Sequence, residues 1–133
     1  MYLLDTNIFL KVMLAQDRKK ECEILLNKIK KGHLKAFLTD FSLYSIMIIL
    51  AKYNKINEIK SFLLSLTSYK GINVYHSKIS DLLRAFEYVE RRILDIDDAI
   101  QYSVAKGLNL KGIVSFDKHF DSLEVPRLEP NQL

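Results

Sequence analysis

Short apolar runs alternate along this chain with longer stretches in which apolar residues recur every three or four positions. Tyr2-Leu3-Leu4 is a brief apolar run closed by Asp5, the pattern of a buried strand. Thr6 and Asn7 then offer turn and capping chemistry ahead of the apolar stretch Ile8 to Leu14. Asp17 is placed to cap a second helix, in which Cys22, Leu25, Leu26 and Ile29 share one face, lysines fill the other, and Gly32 supplies the stop. Lys35 to Leu38 reads as the next strand, with Thr39 and Asp40 as caps of the helix that follows. In that helix Leu43, Ile46, Met47 and Leu50 form one stripe, while Ile48 and Ile49 make the opposite side apolar too, so it is either fully buried or covered by a partner.

The alternation continues with a helix from about Ile56 to Leu66 and a strand at Ile72 to Tyr75. A helix through Val89 follows, capped by Ser77 or Ser80, and another, capped by Asp95 or Asp97, ends near Gly107. Gly112 to Ser115 is a fourth short strand with Asp117 just beyond it, and a last extended piece surrounds Arg127 and Leu128. Short apolar strands separated by helices predict an α/β fold in which a mostly parallel sheet is covered on both faces.

Composition narrows this picture. The 133 residues hold 49% hydrophobic and 27% charged side chains, enough for a packed core and too apolar for a disordered chain. With 4 glycines and 2 prolines there is no linker, so residues 1–133 are read as one domain. The one cysteine, Cys22, excludes an internal disulfide. No signal peptide is expected, because Asp5 and Lys11 interrupt the N-terminal apolar stretch. The most apolar window, Phe41 to Ala51, falls short of the about 20 residues that cross a bilayer. A soluble cytoplasmic protein without a membrane partner is the expectation. The net charge of +4, with Arg18, Lys19, Lys20, Lys28, Lys30, Lys31 and Lys35 gathered in the first quarter, allows contact with a phosphate backbone without requiring it.

The candidate chemistry lies where open α/β sheets gather ligands, outside the carboxyl ends of the strands. Asp5 follows the first strand, Asp117 follows the fourth, and Asp98 opens the helix between them in sequence. Each has an ordinary structural use, as turn residue, helix cap or partner of a helix dipole. Together, three carboxylates at one sheet edge repel one another, and a divalent cation relieves the repulsion. Oxygen donors alone suit Mg²⁺ or Mn²⁺ rather than Zn²⁺. His33, His76 and His119 lack metal-ligand spacing, and His119 reads as a surface residue.

Leu4-Asp5-Thr6-Asn7, Asp97-Asp98-Ala99-Ile100 and Val114-Ser115-Phe116-Asp117-Lys118-His119-Phe120 resemble motifs of the PIN-domain family, and the likeness spans nearly the whole chain. The resemblance implies a three-layer α/β/α sandwich and an Mg²⁺- or Mn²⁺-dependent endoribonuclease acting on RNA. In small members it further implies a VapC-like toxin neutralised by a separately encoded antitoxin. It also implies that Asp5, Asp98 and Asp117 are catalytic metal-binding carboxylates, with Asn7 and Ser115 hydrogen-bonding and orienting them. The family's usual glutamate after the second strand is missing. Ser45 falls at its aligned position, and Asp40, five residues earlier, is the one nearby carboxylate that could substitute.

Two other readings stand beside this one. The missing glutamate and the apolar helix fit a catalytically degenerate module that binds RNA or protein, the helix serving as a homodimer seam or an antitoxin groove. A phosphatase using Asp5 as nucleophile is disfavoured, because Asp5-Thr6-Asn7 lacks the neighbouring aspartate such enzymes use.

Overall fold

The computed structural model describes residues 1–133. Five short strands form one sheet: β1 (Tyr2–Leu4), β2 (Ala36–Thr39), β3 (Ile72–Tyr75), β4 (Ile113–Val114) and β5 (Arg127–Leu128). Their order is β3-β2-β1-β4-β5, and all four pairings are parallel, where a mostly parallel sheet was expected. Six helices connect them: α1 (Thr6–Met13), α2 (Lys19–Lys30), α3 (Asp40–Lys52), α4 (Ile56–Ser68), α5 (Ile79–Glu90) and α6 (Ile96–Gly107).

The period-two alternation of β1 divides the core. Leu4 joins Ile8, Leu25, Ile29, Ile46, Leu50 and Phe62 beneath α1 to α4. Leu3 points the other way, into a second cluster with Ala85, Ala99, Tyr102 and Phe120 under α5 and α6. These two clusters make the predicted α/β/α sandwich. No helix is long and apolar enough to cross a membrane.

Several caps differ from expectation. Asp17 does not cap α2; it pairs with Lys11 at 2.9 Å, and Arg18, at φ 61°, precedes the helix and clasps Glu21. Gly32, at φ 84°, lies just beyond α2 as predicted. Thr39 caps α3 by accepting the Ser42 N–H at 3.0 Å. Neither Ser77 nor Ser80 caps α5. Lys78 holds that place, and the Asp81 carboxylate reaches back to its N–H at 2.8 Å. Asp81 can do this because Tyr75 and Arg84 also donate to it and fix its rotamer.

α3 is buried on the side of Ser42, Ile46 and Leu50, but Tyr44 and Ile48 remain exposed. More exposed apolar surface lies on α5, at Ile79, Leu83 and Phe86.

Candidate metal centre

The site is built at the carboxyl ends of the two central strands. β1 and β4 are neighbours, with Leu4 paired to Val114, so the residues after them, Asp5 and Ser115, emerge side by side. Asp5 is only 5% exposed. Its Oδ2 accepts the Ser115 hydroxyl at 2.6 Å and its Oδ1 accepts the Gln101 amide Nε2 at 3.1 Å. The Ser115 oxygen in turn accepts the Asp117 backbone N–H at 2.9 Å. One hydroxyl therefore holds the carboxylate of Asp5 and the backbone of Asp117.

Gln101 is held from its other end. Thr6 Oγ1 donates to Ser42 Oγ at 2.9 Å, and Ser42 Oγ donates to Gln101 Oε1 at 3.2 Å. A carboxylate only accepts, so the Gln101 amide presents its nitrogen to Asp5 and its oxygen to Ser42. This buried relay links α1, α3, α6 and the end of β1.

Asp98 sits in the first turn of α6, where its charge favours the helix dipole. Asp117 caps a short 3₁₀ turn, Lys118–Phe120, by accepting the His119 N–H at 2.8 Å. The His119 ring leans back on both: Nδ1 lies 3.3 Å from Asp98 Oδ2 and 3.2 Å from Asp117 Oδ1.

Burial is the main cause that raises the Asp98 carboxyl to about 6; the charges of Asp117, Asp97 and Asp5 add to it, against the hydrogen bond to His119. Burial also raises Asp5, opposed by the donors Ser115 and Gln101. His119 is shifted upward by the charge of Asp117 first and its bond to Asp98 second. Burial thus dominates at the two carboxylates, and neighbouring negative charge dominates at His119.

Asp5, Asp98 and Asp117 line one cleft of about 210 Å³, together with Asn7, Ser45 and Asp97. Asn7 makes no hydrogen bond to the carboxylates; Ser115 does, from beneath. Asp40 is not brought to the cleft. Its carboxylate accepts the Ser77 N–H at 3.1 Å, the Ser77 hydroxyl at 2.8 Å and the Phe41 N–H at 2.9 Å, and so is spent on joining α3 to the segment before α5. Ser45 does face the cleft, so a hydroxyl stands where the resemblance places a carboxylate.

Gln101 and Ser42 are not among the candidates that the sequence singles out, and His119 reads from it as a surface residue. Gln101 had a signal: it lies three residues after Asp98, on the same helix face. His119 is 68% exposed at its side chain, as a surface residue would be, yet the face of its ring toward the protein meets two carboxylates.

The basic run is less free than its composition suggests. Arg18 is tied to Glu21 and Glu129, Lys19 to Glu23, and Lys28 to the Leu133 carbonyl. Arg18 and Lys11 also lie over the Phe116 ring, 4.4 and 5.1 Å from its centre, between Ser115 and Asp117 in sequence.

The donor set fits a hard divalent cation. Ligand atoms of Asp98, Asp117 and His119 lie within 4.8 Å of one another, and Asp5 presents a further carboxylate to the same cleft. A parallel α/β/α sandwich with carboxylates gathered at the ends of its central strands is the frame of a PIN domain. The PIN domain model matches residues 2–126, and the chain belongs to that family.

Among solved structures, the chain is similar to a toxin–antitoxin complex from Klebsiella pneumoniae, with 16% identity over 98% of each chain and a TM-score of 0.73. It is similar to the sarcin-ricin-loop-cleaving toxin VapC20 of Mycobacterium tuberculosis at 12% identity, over 89% of this chain and 91% of that one, with a TM-score of 0.74. It also resembles the FitAcB structure from Neisseria gonorrhoeae at 18% identity over the full length of both chains, with a TM-score of 0.70. At these identities the likeness is one of fold. No protein of curated function matches the sequence.

Proposed function

We propose that residues 1–133 act as one unit, a cytoplasmic endoribonuclease that depends on Mg²⁺ or Mn²⁺ and serves as the toxin of a toxin–antitoxin pair. The observation that carries the reading is the convergence of Asp5, Asp98 and Asp117 on one cleft, with the Ser115 hydroxyl binding the Asp5 carboxylate and the Asp117 backbone at once. Such fixation is costly for the metal-free protein and useful only if something positive binds there.

Asp5, Asp98 and Asp117 would hold the ion. Bound, it would supply positive charge against a phosphodiester and activate water for attack. The chain's own part is orientation. Ser115 and Gln101 donate to the two oxygens of Asp5, which orients its carboxylate and partly offsets the cost of burying its charge. Ser45 offers a hydroxyl to water or substrate at the cleft wall, and it is no general base. Beside the cleft, Val89, Ile93 and Leu94 line a recess of about 400 Å³ together with Arg92, Asp95 and His119, a mixed apolar and polar wall against which an unpaired base could rest.

Partner surfaces support the toxin reading. Phe9, Val12 and Met13 of α1, Leu26 of α2 and Phe62 of α4 line an apolar groove that an amphipathic antitoxin helix would fill. The likeness in fold to a toxin–antitoxin complex supports the same reading. A homodimer would cover the exposed apolar residues of α3 and α5, where Tyr44 and Leu82 line one recess.

A second reading is favoured by Ser45: a PIN domain that binds RNA or protein and has lost cleavage. Calorimetric Mn²⁺ titration of wild type and Asp98→Asn, with RNA cleavage followed in the same samples, separates the two. The nuclease reading requires metal binding and metal-dependent cleavage in wild type, both lost in the variant. Metal binding without cleavage would favour the binding module.

A further inference from the structure

We propose that His119 is itself a protein ligand of the ion, supplying the donor that the absent glutamate withholds; this rests on the metal-centre reading above. The first argument is spacing. Adjacent donors around an octahedral ion with bonds of about 2.1–2.3 Å lie about 3.0–3.3 Å apart. His119 Nδ1 is 3.3 Å from Asp98 Oδ2 and 3.2 Å from Asp117 Oδ1. The ring nitrogen thus stands from each carboxylate at a spacing that neighbouring corners of one coordination sphere require, with only small shifts needed to admit an ion.

The second argument is that the ring's place is built. Asp117 caps the 3₁₀ turn through the His119 N–H. Phe120, next in the chain, is fully buried, and Asp121 after it is clasped by Arg127 at 2.6 Å. The backbone at His119 is therefore fixed on both sides. In the metal-free protein Nδ1 donates to the carboxylates. Nε2 has no protein partner and can keep a proton toward solvent, so an arriving ion that displaces the Nδ1 proton would meet a neutral imidazole.

The third argument is the count of donors. Ser45 brings no charge to the cleft, and Asp40 is committed to Ser77. His119 is the one remaining ligating side chain grouped with Asp98 and Asp117. An imidazole in place of a carboxylate changes preference as well as affinity. Mg²⁺ favours oxygen donors and gives up water reluctantly, whereas Mn²⁺ accepts nitrogen more readily, so this site should prefer Mn²⁺.

The rival account makes the ring a cationic counter-ion that neutralises the two acids when metal is away. The two accounts predict opposite signs for one variant, because removing a ligand weakens metal binding and removing a competing cation strengthens it. The test is calorimetric titration with Mn²⁺ and with Mg²⁺ on wild type, His119→Ala and Asp98→Asn, with pulsed EPR of the Mn²⁺-loaded proteins. Loss of an outer hydrogen-bond partner of a ligand already costs about 10–100-fold in metal affinity, so loss of the ligand should weaken Mn²⁺ binding about tenfold or more, and Mg²⁺ binding less. A nitrogen coupling to Mn²⁺ should be present in wild type and absent in His119→Ala. The melting temperature of the variant should stay near that of wild type, since the ring is mostly exposed. Unchanged or tighter Mn²⁺ binding in His119→Ala, without nitrogen coupling in wild type, would overturn the proposal while Asp98→Asn still showed the metal centre to be real. A wild-type protein that bound neither ion would overturn both.

Discussion

Gln101 and Asp5 stand 96 positions apart in the chain and meet beneath the acidic cleft, amide nitrogen to carboxylate oxygen, at 3.1 Å. Gln101→Leu should strip Asp5 of one of two side-chain donors and leave the Ser42 hydroxyl without its acceptor. Unfolding free energy should fall by about 1–3 kcal/mol, the range for a buried polar group left unpaired. Mn²⁺ affinity should fall about tenfold or more, because an orienting partner of a ligand is lost. Calorimetry beside chemical denaturation reads both; a drop in stability with metal affinity intact would make Gln101 a packing residue only.

The metal-free protein should grow less stable as pH rises from about 4.5 to 8. Asp98, raised from its ordinary 3.8 to about 6, binds its proton more tightly folded than unfolded, so the stability it contributes when protonated is lost as pH climbs through that interval. His119 is shifted upward too, and its contribution, complete below 6.5, is lost as pH rises through its folded value. Asp81 acts in the opposite sense. Burial would raise it, but the Lys78 N–H, the Tyr75 hydroxyl and Arg84 outweigh burial and hold it below 3.8, so its contribution disappears only in stronger acid. Saturating Mn²⁺ should abolish the decline toward pH 8, since the ion stabilises the ionised acids. Thermal melts across pH, with Mn²⁺ and with chelator, check this; parallel curves would refute it.

Ser45→Glu should restore a carboxylate to the cleft wall. Added ligand charge tightens cation sites, so Mg²⁺ affinity should rise about tenfold, with a matching gain in RNA cleavage at limiting Mg²⁺. The side chain is only half-buried, so the melting temperature of the metal-loaded variant should not drop. Weaker Mg²⁺ binding in Ser45→Glu would mean that Ser45 does not face the ion.

Phe86→Glu should convert a dimer to a monomer. Phe86 lies on the exposed apolar side of α5 with Ile79 and Leu83, and a charge there would have to be buried in a symmetric interface. Light scattering should show half the mass with unchanged helix content. A wild type already monomeric at high concentration would remove the dimer from the proposal.

The frame of the site was legible because strand ends and helix starts are local features. Asp5 closes an apolar triplet, Asp98 opens an amphipathic stretch, and Asp117 follows an apolar pair; the parallel sheet then carries all three to one edge. What was not legible depends on partners far along the chain. Arg127 and Leu128 read as extended, but their pairing with β4 is a tertiary fact. Lys78 displaces two serines from a cap position because Asp81 already has Tyr75 and Arg84 to hold it. His119 looks like a surface residue because it is one, and the buried Phe120 beside it is what anchors its backbone next to the carboxylates.

The strand order has a consequence for biosynthesis. Asp5 is synthesised well before the partners that orient it, which lie 96 and 110 positions later. β1 sits in the middle of the sheet and has to wait for β4 before its second edge is filled. Closing so long a loop comes late in folding. A partly made or prematurely terminated chain therefore carries Asp5 with neither Gln101 nor Ser115 to aim it. The first carboxylate of the cleft is thus made early and left unaimed until Ser115 has been added.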